Sequence, residues 1–133
     1  MRMHILLVDD NEDYLDVARE ILECHGYTVH TALDGVEGCE VLASTDIDLI
    51  VSDIRMPRLD GLKLHAFARA TEKYRQTKFI FITGFGDLYA DKIALNPGED
   101  YLIDKRTSME DILGLIDSLC AGTATGDLGL QKP

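Results

Sequence analysis

Basic residues are scarce in this chain: thirteen Lys and Arg stand against twenty-four Asp and Glu, a formal net charge of −11. That balance opposes attraction to phosphodiester backbones and to anionic lipid, so direct nucleic-acid or membrane binding is disfavoured. No apolar run approaches the roughly 20 residues of a membrane span. Met1-Arg2-Met3-His4 leads into a strand-like segment rather than a secretory leader, and the expected location is cytoplasmic. Cysteine is limited to Cys24, Cys39 and Cys120, with no C-x-x-C pair. Neither a disulfide framework nor a zinc knuckle fits, and buried, reduced thiols are expected. His4, His25, His30 and His65 are just as scattered and read as surface or partly buried side chains rather than metal ligands. Internal repeats are missing, and 133 residues leave no room for a second full domain.

What is present suits one globular domain, since 46% hydrophobic residues at this length suffice for a core without staples. Five short apolar runs recur: His4 to Val8, Thr28 to Ala32, Leu49 to Ser52, Phe79 to Ile82 and Tyr101 to Ile103. Their continuous hydrophobicity predicts strands covered on both faces, and the helical patterns between them predict right-handed crossovers in a parallel sheet. Helices are expected near Asp13 to His25 with Gly26 as the stop, Val36 to Ala43, Leu62 to Lys73, and Asp87 to Leu95 before Asn96-Pro97-Gly98. A last helix carries Met109, Ile112, Leu113, Ile116 and Leu119, with Thr107 and Glu110 as a capping box. Residues 121–133 read as a tail or the start of a linker.

In an open parallel sheet, ligands sit beyond the carboxyl ends of the strands. Four of the five strands end there on polar groups: Asp9-Asp10, Asp53, Thr83 and Lys105. If the first and third strands are neighbours, the carboxylates converge, and two of them about 4 Å apart repel by about 4 kcal/mol at an effective dielectric near 20. A cation is therefore expected among them, and Mg²⁺ suits a site of one or two carboxylates, water and phosphate oxygen. Asp9 to Asp13 has the acidic density of a calcium loop, but a strand precedes it where an entering helix belongs, and its mid-loop glycine is missing. A carboxylate can also be a nucleophile that forms an aspartyl-phosphate, and Asp53 is the natural candidate. Such a transfer needs positioning and charge neutralisation, which Lys105 and Thr83 could supply.

The ordered set Val8-Asp9-Asp10, Asp53-Ile54-Arg55-Met56-Pro57-Arg58-Leu59-Asp60-Gly61, Thr83-Gly84 and Lys105 resembles the receiver domains of two-component response regulators from about His4 to Leu119. Intervals of 43, 30 and 22 residues separate Asp10, Asp53, Thr83 and Lys105. The resemblance implies a flavodoxin-like, three-layer, doubly wound (βα)5 fold of the α/β class, with a five-stranded parallel sheet of order 2-1-3-4-5. The receiver domain would span residues 1–120. By the same resemblance, Asp53 accepts a phosphoryl group from a histidine kinase or phosphotransfer protein. Mg²⁺ would be held by Asp10, Asp53 and the Arg55 backbone carbonyl, with Asp9 acting through water. Lys105 would contact the phosphoryl oxygens, and Thr83 would swing towards them. The implied protein is a switch rather than a turnover enzyme, a monomer or a phosphorylation-dependent dimer, with an output partner or effector that is not visible.

Three positions depart from the family pattern. Arg106 follows Lys105 where proline with a cis bond is usual, so a trans loop and an altered lysine position are expected. Leu102 occupies the usual aromatic switch position and Tyr101 sits one residue earlier, on the opposite face of the strand. In the family the positions two residues after the threonine and after the phosphoacceptor influence the attacking water, and the resemblance implies that Phe85 and Arg55 there would hinder hydrolysis and make the phosphorylated state long-lived. A degenerate receiver, binding partners without phosphorylation, is the alternative reading. A phosphohydrolase of the haloacid dehalogenase type would want an acid at position 55, and a flavin carrier would not place Asp9 to Asp13 against a phosphate.

Overall fold

A computed structural model of the chain describes residues 3–56, 58–84 and 95–121. Five strands, β1 (His4–Val8), β2 (Thr28–Ala32), β3 (Leu49–Asp53), β4 (Lys78–Thr83) and β5 (Asp100–Asp104), form one parallel sheet of order β2-β1-β3-β4-β5. Four helices are seen among the described residues: α1 (Glu12–Cys24), α2 (Gly35–Ser44), α3 (Gly61–Ala70) and α4 (Met109–Cys120). The helix expected from Asp87 to Leu95 and the tail lie outside the described residues, apart from Leu95 and Ala121.

The unbroken apolar runs resolve into two cores because successive side chains point to opposite faces of a strand. Ile5, Leu7, Val51, Ile80, Ile82, Tyr101 and Ile103 pack under Leu15, Ala18 and Leu22 of α1 and Ile112, Leu115, Ile116 and Leu119 of α4. Leu6, Val8, Ile50, Phe79 and Phe81 pack under Leu42 of α2 and Leu64 and Ala68 of α3. Tyr101 and Leu102 do fall on opposite faces: Tyr101 is sealed in the first core, while Leu102 packs partly buried against the second.

Local chemistry sets the helix ends. Asn11 caps α1 by accepting from the Tyr14 amide, and Asp34 and Asp60 do the same for α2 and α3. At the far end of α1, Tyr27 N donates to Leu22 O and Gly26 N to Glu23 O. This is the glycine-dependent Schellman arrangement, with Gly26 at φ 93°. The third helix stops at Ala70, short of the expected Lys73, and a 3₁₀ turn covers Glu72–Tyr74. The break lets Tyr74 bury its ring and donate to Leu42 O and Thr45 O at 2.7 and 2.6 Å. The cap of α4 is Ser108, which accepts from Asp111 N, and not the expected Thr107 with Glu110. The Thr107 amide is already committed to Asp104 O in the turn after β5. The thiols also differ from expectation: all three are free, but Cys24 is exposed and Cys39 and Cys120 are only partly buried.

Candidate functional site

Parallel pairing brings the carboxyl ends of β1, β3, β4 and β5 to one rim. Val8 pairs with Ser52, Asp53 with Ile82, and Thr83 with Asp104, so Asp9, Asp53, Thr83 and Lys105 leave the sheet together. One carboxylate oxygen each from Asp9, Asp10 and Asp53 lies within 4.8 Å of the other two. Asp9 is buried, Asp53 half-buried and Asp10 exposed, so the cluster opens towards solvent on the Asp10 side. The start of α1 follows directly, and the positive end of its dipole partly offsets the negative charge.

Two backbone features hold Asp53 in place. Buried Ser52 donates its hydroxyl to Asp53 O at 2.8 Å. Gly61 packs so closely that a Cβ there would lie 2.2 Å from the same carbonyl, and its amide donates to Ile54 O at 2.8 Å. Only glycine permits that approach, which ties the start of α3 to the end of β3. A neighbouring strap joins Arg58, at φ 65°, to the α2 cap through Arg58 Nε and Asp34 Oδ2, 2.6 Å apart.

Lys105 reaches the cluster. Its Nζ lies 2.8 Å from Asp9 Oδ2 and 3.8 Å from Asp53 Oδ2. The peptide bonds of the described residues are all trans, Lys105–Arg106 included. The Lys105 amide donates to Thr83 O at 2.8 Å. Arg106 folds back on Asp104, with its backbone N 2.7 Å, Nε 3.0 Å and Nη2 2.6 Å from the carboxylate oxygens. Those bonds hold the Asp104 carboxyl down at about 2. The trans linkage thus coexists with a lysine inside the cluster.

Burial, then the Asp9 charge, push the Asp53 carboxyl up to about 6; Lys105 opposes the rise, Asp10 adds to it, and a hydrogen bond from the Arg55 amide opposes it again. Asp9 Oδ1 accepts from Asn11 N at 2.9 Å. Asp9 Oδ2 is buried and accepts no hydrogen bond, its contact with Lys105 being an ion pair alone. Among the described residues three carboxylates share the Lys105 ammonium, and that excess of anionic oxygen donors fits a hard divalent cation.

Thr83 and Arg55 stand on the same rim. Thr83 is buried and its hydroxyl donates to Gly84 O at 3.1 Å. Arg55 lies two residues beyond Asp53 with an exposed side chain, and Phe85 is outside the described residues. One residue at the site was not anticipated. Tyr14, in the first turn of α1, sets its ring 4.6 Å from Lys105 Nζ. Burial, then Asp9 and Asp53, push its hydroxyl up to about 12. No sequence signal pointed to it, because its partner Lys105 is remote in the chain.

Comparison with known proteins agrees with this geometry. A family model described as the response regulator receiver domain matches residues 5–117. Response regulator MprA of Mycobacterium ulcerans (strain Agy99) is 34% identical over 128 residues, 96% of this chain and 54% of that protein. The chain therefore spans about half the length of the curated relatives it matches. A CheY-like response regulator receiver domain protein from Methanospirillum hungatei JF-1 superposes with TM-score 0.82 at 30% identity, covering 92% of this chain and 97% of that one. The receiver domain of sensor histidine kinase PA1611 from Pseudomonas aeruginosa PAO1, solved with a magnesium ion in its active site cleft, superposes with TM-score 0.77 at 25% identity, covering 91% and 99%. Sheet order, the acidic rim and these matches together make the chain a member of the response regulator receiver domain family of two-component signalling.

Proposed function

We propose that this domain is a phosphorylation-dependent switch in which Asp53 accepts a phosphoryl group from a histidine kinase or phosphotransfer protein in the presence of Mg²⁺. The observation that carries the reading is the meeting of Asp9, Asp10 and Asp53 with Lys105 at one rim. Asp10, Asp53 and the Arg55 carbonyl would hold the metal, with Asp9 acting through water. Bound there, Mg²⁺ supplies charge neutralisation for the phosphoryl oxygens and favours ionised Asp53. Asp53 attacks phosphorus, forming an O–P bond as the bond to the donor's leaving group breaks, and the electron pair departs with that group. Lys105 moves from Asp9 to a phosphoryl oxygen, and Thr83 donates to another. Ser52 and Gly61 keep the Asp53 backbone still while its side chain reacts.

The switch would then shift a population of conformers at a partner surface that includes β5 and α4. With Leu102 in place of an aromatic residue, the relay cannot use a turning ring there. Residues 121–133 serve as a tail or linker, which suits relatives about twice as long. The domain acts in the cytoplasm, and no helix among the described residues is long and apolar enough to cross a membrane.

Incubation with acetyl phosphate and Mg²⁺, followed by intact-mass spectrometry, tests the reading. Wild type gains the mass of one phosphoryl group, whereas Asp53→Asn does not. An unchanged wild-type mass would overturn it in favour of the degenerate receiver.

A further inference from the structure

The lysine of this site has three neighbours rather than two. A four-carbon ammonium side chain is flexible, and two carboxylates compete for it. It stands a full ångström closer to Asp9 than to Asp53, at 2.8 against 3.8 Å. On top of that pairing lies the Tyr14 ring, its centroid 4.6 Å from Nζ, inside the range of about 6 Å over which a ring face attracts a cation. Tyr14 is itself well anchored. Its amide is bonded to the Asn11 side chain, and Leu15 and Ala18 beside it are sealed in the core.

We propose that Tyr14 is a positioning residue for Lys105, its ring face holding the ammonium over the acidic cluster as the lysine passes from Asp9 to the phosphoryl group on Asp53. The role rests on the phosphoacceptor reading above, while the contact itself does not. Metal binding draws Asp9 into other company, and at that moment the lysine's principal partner weakens. Without the ring the ammonium is released to solvent and has to be recaptured at each phosphorylation. With it, the lysine is confined to an arc that reaches both carboxylates.

The test combines rates with a spectroscopic signature. Phosphorylation by acetyl phosphate with Mg²⁺ is compared in wild type, Tyr14→Phe, Tyr14→Leu, Lys105→Met and the Tyr14→Leu/Lys105→Met double variant. Tyr14→Leu is expected to slow the reaction about fivefold, equivalent to about 1 kcal/mol, with Mg²⁺ affinity unchanged within about twofold. Tyr14→Phe restores the rate because the ring face is kept. In the Lys105→Met background Tyr14→Leu costs nothing more. A wild-type rate in Tyr14→Leu, or the same fivefold loss on top of Lys105→Met, overturns the proposal. Independently, the Lys105 Hε resonances in wild type carry an upfield ring-current displacement. Resonances at the position of an exposed lysine overturn the proposal even if Tyr14→Leu fails to fold. A displaced resonance in a protein that acetyl phosphate leaves unmodified overturns the phosphoacceptor reading while the contact stands.

Discussion

Asp53 carries its proton more tightly in the folded chain than in the unfolded one, since burial and Asp9 raise its carboxyl from 3.8 to about 6. The folded state is therefore favoured by this group at acid pH, and the advantage is lost as pH rises through about 6. Asp53→Asn removes the ionisation, so the metal-free variant should exceed wild type in stability by about 2 kcal/mol at about pH 7.5, with the difference vanishing near pH 4. Urea denaturation at the two pH values measures it, and equal midpoints at the higher pH would show that Asp53 is not under electrostatic strain. The carboxylates and Lys105 were legible in the sequence because each ends an apolar run, where parallel topology leaves a side chain no place but the rim. Tyr14 was not, because its meaning lies in the Lys105 ammonium, a partner remote in sequence whose reach no periodicity encodes.

Among the elements, strands read more clearly than helix ends. β1 and β2 have the expected limits, and β3, β4 and β5 differ by one or two residues. An apolar run bounded by polar residues declares its own length. Helix ends depend on which of several adjacent polar residues finds an amide: Ser108 wins over Thr107 because the turn after Asp104 has already used Thr107. The shortened α3 is a tertiary effect, imposed by the bonds of Tyr74 to the end of α2. At the opposite rim, α3 is fixed to β5 by a charge network: fully buried Asp100 accepts from His65 Nε2 at 2.9 Å, Arg69 Nη2 at 2.6 Å and Asn96 N at 2.9 Å. Burial alone would raise the Asp100 carboxyl, but these bonds outweigh it and hold it below its ordinary value. Asp100→Ala leaves Arg69 with its charge unpaired, and chemical denaturation should show a loss of about 3 to 5 kcal/mol. A loss under about 1 kcal/mol would mean that the network is not a structural tie.

For the whole molecule, alternating strands and helices were enough to predict a parallel sheet, and the family pattern supplied its order. Neither states which chain docks on the domain, since a docking face is a surface property spread over residues without a common spacing. The acidic rim has a measurable global consequence. On the proposed reading Mg²⁺ would bind the folded acidic cluster and not the dispersed carboxylates, so at about 100 times its dissociation constant it should add about 2.7 kcal/mol to unfolding, reversed by a chelator and lost in Asp53→Asn. Thermal midpoints insensitive to Mg²⁺ would argue against the metal site. β5 starts at Asp100, held by the His65 and Arg69 side chains and the Asn96 amide, and it runs out at Lys105, whose Nζ lies 3.8 Å from Asp53 Oδ2. Such a strand is tied at its root to α3 and at its tip to Thr83 O, so a pull on Lys105 meets resistance to lengthwise sliding at both ends.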